Sequence, residues 1–350
     1  MLLRVSRGPV VVAVLLVLSF ASSAAASPER APAFRDAILT PSAPRALQAA
    51  SEWGGATTAT DGETVNLYFS DAYPVDPARA LQWADFMTSL VHGPELQTVA
   101  IHLGPLTEVQ RRCGRDALAC YAPQAATVYA PADDPAFDLS AKGILIHEYG
   151  HHVAANRANP PFESGDYGTK RWASYENVCS RTQAGDLFPG AEDSRHYMLN
   201  PGEAYAETYR VLNEARLGLA LEPWTIVSTA LAPDPTALSL LEQDVTMPWT
   251  AATVKTFTAR LTSKVRTRTF VVSTPYDGTV GVVARQAAGT KVAVSLLANK
   301  RSVKARTSTG ARSAISSTVC GVRQYSVRVQ LPGPVTKATK TTLSLTVSTP

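Results

Sequence analysis

The stretch "GILIHEYGHHVAAN", residues 143–156, decides how this chain is read. His147 and His151 lie four residues apart, with Glu148 beside the first. In a helix that spacing separates two side chains by roughly 40° in direction and about 6 Å in height, so both imidazoles can converge on one ion. Glu148 then stands near the ion's open side. Ile144, Leu145, Ile146 and Val153 are apolar and anchor such a helix in a core. His152 points off the ligand face and needs no metal role. The competing reading of the same residues is a partly exposed helix whose histidines are satisfied by hydrogen bonds.

Two histidines do not complete a site. Catalytic zinc keeps three protein ligands and an open position for water. Zinc lowers the pKa of that water toward about 7, and an adjacent glutamate can take its proton as it attacks a carbonyl. The metzincin pattern HExxHxxGxxH fails here, because Ala154 and Arg157 occupy the last two positions. The aspzincin pattern GTxDxxYG fails as well, since "GTKRWASY" (168–175) has no aspartate.

"NPGEAYAETYR" (200–210) is the better source of the third ligand. Glu203 and Glu207 share one helix face, so the first can bind the ion while the second accepts the other N–H of a ligating histidine. Ala204 and Ala206 leave room for close approach. Two plainer readings compete. Glu203 is the third residue after the cap Asn200, as in a capping box, and Glu207 can pair with Arg210 on the surface. Glu176 and Asp166 are the fallback ligands.

HEYGH followed some fifty residues later by E-x-x-x-E resembles the gluzincin zinc metallopeptidases, and "GEAYAETYR" is similar to the corresponding helix of the anthrax lethal factor group. The resemblance covers residues 63–220. It implies a single catalytic zinc ion on His147, His151 and Glu203, with Glu148 as general base and Glu207 behind the ligands. It also implies an oxyanion-stabilising tyrosine or histidine, for which Tyr197 is the first candidate and His196 the second. The chain lacks the toxin's large accessory domains, so no substrate carries over.

The remaining chain organises around this core. Arg4 and Arg7, an apolar run from Val10 to Phe20 and "ASSAAAS" predict a signal peptide over 1–26, and the run is too short to span a bilayer. A secreted protein, with no membrane attachment after cleavage, is the expectation. Residues 27–62, rich in Ala, Pro, Ser and Thr, read as an extended leader too short for a folded inhibitory propeptide. Over 63–250 the periodicities predict strands at 64–70 and 96–103, an edge strand at 126–131 and a helix between the first two with Leu81, Ala84, Phe86 and Leu90 as its apolar stripe. The motif helix is expected to be capped by Asp138, and a long loop to cover 158–199. Helices follow at about 201–219, capped by Asn200, and near 234–244.

From residue 255, six or more short alternating segments predict a β-sandwich. "STPYDGTVGVVA" and "YSVRVQL" weakly resemble the pre-peptidase C-terminal domain of secreted bacterial peptidases. The expected fold class is therefore α+β: a zincin-like catalytic domain followed by an all-β antiparallel sandwich.

Charge divides at the same place. Residues 251–350 hold 16 Lys/Arg against a single acid, Asp277, whereas residues 27–250 hold 15 basic against 28 acidic residues. The basic part can contact an anionic polymer or the acidic part, or simply present solvated strands; no nucleic-acid partner is expected. Export permits disulfides. Cys113 and Cys120 are expected to pair across a short turn, while Cys179 and Cys320 either pair or stay buried thiols. Two functions fit: a secreted zinc peptidase acting on proteins or peptides, and an inactive zincin-scaffold binder carrying a polyanion- or wall-binding sandwich. An intact Glu148 favours the first.

Overall fold

The computed structural model describes residues 38–39, 51–135, 139–321 and 323–350. The expected signal peptide, most of the leader and Asp138 lie outside the described residues. Five strands, β1 (Glu52–Thr58), β2 (Thr64–Ser70), β3 (Ala100–Gly104), β4 (Cys120–Ala122) and β5 (Thr127–Pro131), form one mixed sheet in the order β1-β2-β3-β5-β4. The three inner strands run parallel, and both edge strands are antiparallel to their neighbours. In β2 the alternation buries Val65, Leu67 and Phe69, as "TVNLYFS" predicts.

Three strand assignments change, the first being the strand expected at 96–103, which shortens to β3 because Pro94–Gln97 form a 3₁₀ turn. Residues 52–58 fall inside the expected leader yet form β1, where Trp53 stacks on Phe69 at 4.5 Å. Gly54 and Gly55 interrupt the alternation that would reveal the strand. Gly54 is required there, because a Cβ would lie 2.3 Å from the Leu67 carbonyl oxygen. The segment 127–131, expected at an edge, lies inside the sheet because β4 pairs outside it. Its Pro131 sits at the strand's last position, where the ladder ends.

Among the described residues eight α-helices complete this half: α1 (Pro77–Ser89), α2 (Leu106–Cys113), α3 (Ala141–Ala155), α4 (Ser164–Tyr167), α5 (Lys170–Tyr175), α6 (Val178–Ala184), α7 (Pro201–Leu217) and α8 (Pro235–Thr246). In α1 the buried face runs through Ala80, Trp83, Ala84 and Met87, while Leu81 is exposed. The expected stripe was thus one position out of phase at its start. The expected loop over 158–199 contains α4, α5 and α6, each too short to show helical periodicity.

Ser140 caps α3, its hydroxyl accepting from the Gly143 N–H. Ile144, Leu145, Ile146 and Val153 are fully buried, each contributing about 1.5–3 kcal/mol. Asn200 caps α7 and Pro201 opens it, as expected, and Gly218 closes it in the left-handed conformation. Helices α3 and α7 pack closely at Gly150, where a Cβ would lie 3.0 Å from the Ala206 Cα.

Beyond α8 come β6 (Thr253–Thr262), β7 (Thr267–Ser273), β8 (Gly278–Arg285), β9 (Val292–Ala298), β10 (Arg301–Ser308), β11 (Arg312–Val319), β12 (Gln324–Gln330) and β13 (Lys340–Thr349). They form two antiparallel four-stranded sheets, β10-β9-β12-β7 and β11-β8-β13-β6. Alternate residues of both sheets, among them Val282, Leu345, Val294 and Val327, share one apolar core. The chain is therefore α+β, with its antiparallel sheets in the C-terminal region.

Both disulfides form: Cys113–Cys120 closes a turn, and Cys179–Cys320 joins residues 141 apart. The second bridge sits at the contact between the helical half and the sheet pair. Lys170 Nζ donates there to the carbonyls of Pro160 and Asp277 at 2.8 and 3.0 Å. Arg323 pairs with Asp277 and donates to the Ser174 carbonyl, and the Asp277 N–H donates to the Ser174 hydroxyl. Asp277, the lone acid of the basic half, is thus spent on this contact. Among the described residues no helix is long and apolar enough to cross a membrane.

Candidate metal centre

Helix α3 places His147 and His151 one turn apart, and α7 brings Glu203 against them. The three form a buried group that could bind a metal ion. His147 Nε2 and His151 Nε2 lie 3.2 Å apart, and both are within 3.4 Å of Glu203 Oε2. All three side chains are at most 3% exposed. Gly150 and Ala206 make this convergence possible, because a larger residue at their contact would push the helices apart.

The donor set fits a cation. Two imidazole nitrogens and a carboxylate oxygen face one another, and Glu203 Oε1 is buried with no hydrogen-bond partner among the described residues. His147 Nδ1 lies 3.1 Å from Glu207 Oε2. A carboxylate at that nitrogen fixes the proton on Nδ1 and leaves the Nε2 lone pair for coordination.

Glu207 plays both parts that the sequence left open. It faces His147 and also takes Arg210, with Nε to Oε2 at 2.9 Å and Nη2 to Oε1 at 2.5 Å. This Arg210 pair is buried, not a surface contact. Burial opposes the Glu207 charge, but hydrogen bonds from Arg210 and His147 outweigh it and hold the carboxyl below its usual range. Arg210 also reaches Glu214 at 2.5 Å, and Glu214 in turn accepts from the Glu222 N–H. Burial works against the Arg210 charge, yet the two carboxylates keep it above its ordinary value. Sequence reasoning missed this buried chain. The i, i+3 and i+4 acids around Arg210 were visible, but nothing local marked that face as interior.

Glu148 is fully buried on α3 beside His147. Tyr197, in a 3₁₀ turn just before α7, donates its hydroxyl to Glu203 Oε2 at 3.0 Å. His196 instead faces Asp193 at 3.0 Å and packs on Phe188. His152 is turned away from the group: Nδ1 meets the Tyr121 hydroxyl and Nε2 the Glu95 carbonyl, each at 3.0 Å. Asp166 and Glu176, the fallback ligands, do not join the group. Asp166 lines a pocket of about 730 Å³ that His151, Tyr121, Phe162 and Ile38 also border.

No family model matches the chain. No curated protein matches it either. Among solved structures, it is similar over 27% of its length to the pre-peptidase C-terminal domain of collagenase from Bacillus anthracis, at 12% identity, 87% coverage of that domain and a TM-score of 0.21. The Yersinia pseudotuberculosis-derived mitogen matches at 10% identity over 28% of this chain and 87% of that one, with a TM-score of 0.22. The periplasmic inhibitor of g-type lysozyme from Aeromonas hydrophila matches at 11% identity over 28% and 86%, with a TM-score of 0.21.

Proposed function

We propose that this chain is a secreted zinc-dependent peptidase of the gluzincin type, with a zincin-like catalytic domain. The observation that carries the reading is the buried meeting of His147, His151 and Glu203 with Glu148 on the same helix turn. Two histidines, one carboxylate and an open position make a donor set of catalytic zinc sites. Zinc supplies Lewis acidity, polarising a carbonyl and lowering the pKa of water.

The chain's own residues do the rest. Glu148 takes the proton of the attacking water and returns it to the departing amine. Glu207, charged because Arg210 and His147 hold it so, keeps the His147 ring in one tautomer and orientation. The Tyr197 hydroxyl, 3.0 Å from Glu203, lies within reach of an oxyanion developing beside the ligands.

The test pairs metal content with turnover. Wild type is expected to carry one zinc and cleave unstructured peptides in a chelator-sensitive way. Glu203→Ala loses most of the zinc. Glu148→Gln keeps it but loses about 10²–10⁴ of the rate. Absence of stoichiometric zinc in wild type would sink the reading, and bound zinc without hydrolysis would favour the inactive binder.

A further inference from the structure

The sheet β11-β8-β13-β6 turns one face to the apolar core and the other to solvent. On the outward face the basic residues are grouped. Arg312 of β11 stands directly opposite Arg285 of β8 in the register. The same row continues through Ser344 of β13 and Thr258 of β6. One step further on that face Arg260 is opposite Thr342, and beyond it Lys340 is opposite Thr262. Arg260, Arg285, Arg312 and Lys340 are exposed, and each has a buried neighbour in the chain, as an outward position on a two-faced strand must.

This corner lies away from the helical half. Gly278 touches that half at Pro160 and Lys170, and Arg285 ends the same strand, about 23 Å away at about 3.3 Å per residue. Lys264 and Lys291, exposed in the turns after β6 and before β9, extend the patch at the same end. Among the described residues none of these six meets a carboxylate. Asp277, the lone acid of this half, is held by Arg323 at the opposite end. Like charges opposite one another on neighbouring strands destabilise a sheet, and a surface kept only for solubility is better served by both signs interspersed. The acidic half does not reach the patch to neutralise it.

We propose that this corner of the sheet pair binds an acidic polysaccharide, whose carboxylates sit on the Arg and Lys side chains and whose hydroxyls meet the Ser and Thr between them. Arginine's planar fork matches a carboxylate with two parallel hydrogen bonds. Among the described residues that face carries no aromatic ring on which a base stacks, and hydroxyls rather than apolar side chains separate its charges. The binding rests on the sheet pair alone and stands whether or not the other half cleaves peptides. It holds the helical half close to the polymer.

The test titrates the full chain into labelled polygalacturonate, with double-stranded DNA and anionic phospholipid vesicles as rival polyanions. Wild type is expected to bind polygalacturonate, with Kd rising about tenfold or more between about 50 and about 300 mM salt. Arg285→Ser with Arg312→Ser should weaken binding about tenfold and melt no lower than wild type, since two opposed charges are gone. Arg260→Ser with Lys340→Ser should weaken it too, so the answer does not depend on one pair of substitutions. Lys255→Ser with Arg301→Ser removes the same charge at the end near the helical half and should stay within about twofold of wild type. An equal loss from this last pair would overturn the proposal, because overall charge would then suffice. Tighter binding of DNA or of vesicles than of polygalacturonate would overturn it in favour of a nucleic acid or a membrane.

Discussion

In the core around α3 and α7, His147, Glu148, His151, Glu203, Glu207 and Arg210 are all at most 3% exposed. In the core between the two sheets, Val, Leu, Ile, Ala and a tyrosine fill the space. The one charged residue buried in that half, among the described residues, is Asp277 at the contact between halves. Buried ionisable groups cost several kcal/mol each unless paired, so a fold does not gather six of them for stability. Hydrophobic burial alone accounts for the sheet pair. The polar cluster in the other half is held by its pairing, His147 to Glu207 to Arg210, around a group that could bind a metal ion.

That contrast can be broken most sharply at Glu207. Glu207→Ala leaves Arg210 buried without its main partner and His147 without its orienting acid. A loss of about 3–5 kcal/mol in urea unfolding is expected, together with a 10–100-fold loss of zinc affinity. Full stability in this variant would show that the cluster is not the tense part of the molecule. Removing the tie between the halves comes next. Cys179→Ser with Cys320→Ser should cost about 2–5 kcal/mol and separate the unfolding of the two cores into distinct transitions.

Gly150→Ala sharpens the comparison inside the helical half. The new Cβ meets the Ala206 backbone at 3.0 Å, so about 1–3 kcal/mol is expected, and zinc affinity should fall although no ligand is altered. The smallest effect concerns pH. Burial pushes Lys170 down to about 8, against carboxylates that oppose the shift. Between that value and its ordinary 10.5 the unfolded chain holds the proton that the folded chain has lost. Stability from this group therefore rises as pH increases from about 8 toward 10. Thermal unfolding of wild type against Lys170→Met should show that rise in wild type only.

Legibility in the sequence followed locality. The HExxH turn declares its geometry within five residues, and Glu203 and Glu207 repeat one helical step, so these residues were readable before their partners were known. The strands that alternate apolar with polar residues, such as β2 and β13, were equally plain. β1 was hidden by its glycines, β4 by its three-residue length at the end of the cysteine turn, and β10 by a run of exposed Arg, Lys, Ser and Thr with no apolar face to bury. What no pattern conveyed was depth. Arg210 looks like a surface partner in sequence and is 1% exposed in the fold.

The Cys179–Cys320 bridge also has a topological consequence. It closes a ring of chain that takes in α7, α8 and six of the eight strands of the sheet pair. A single cut anywhere inside that ring yields two polypeptides that remain one covalent molecule. The chain can thus be nicked between residues 180 and 319 without shedding the sheet pair or the helix that carries Glu203.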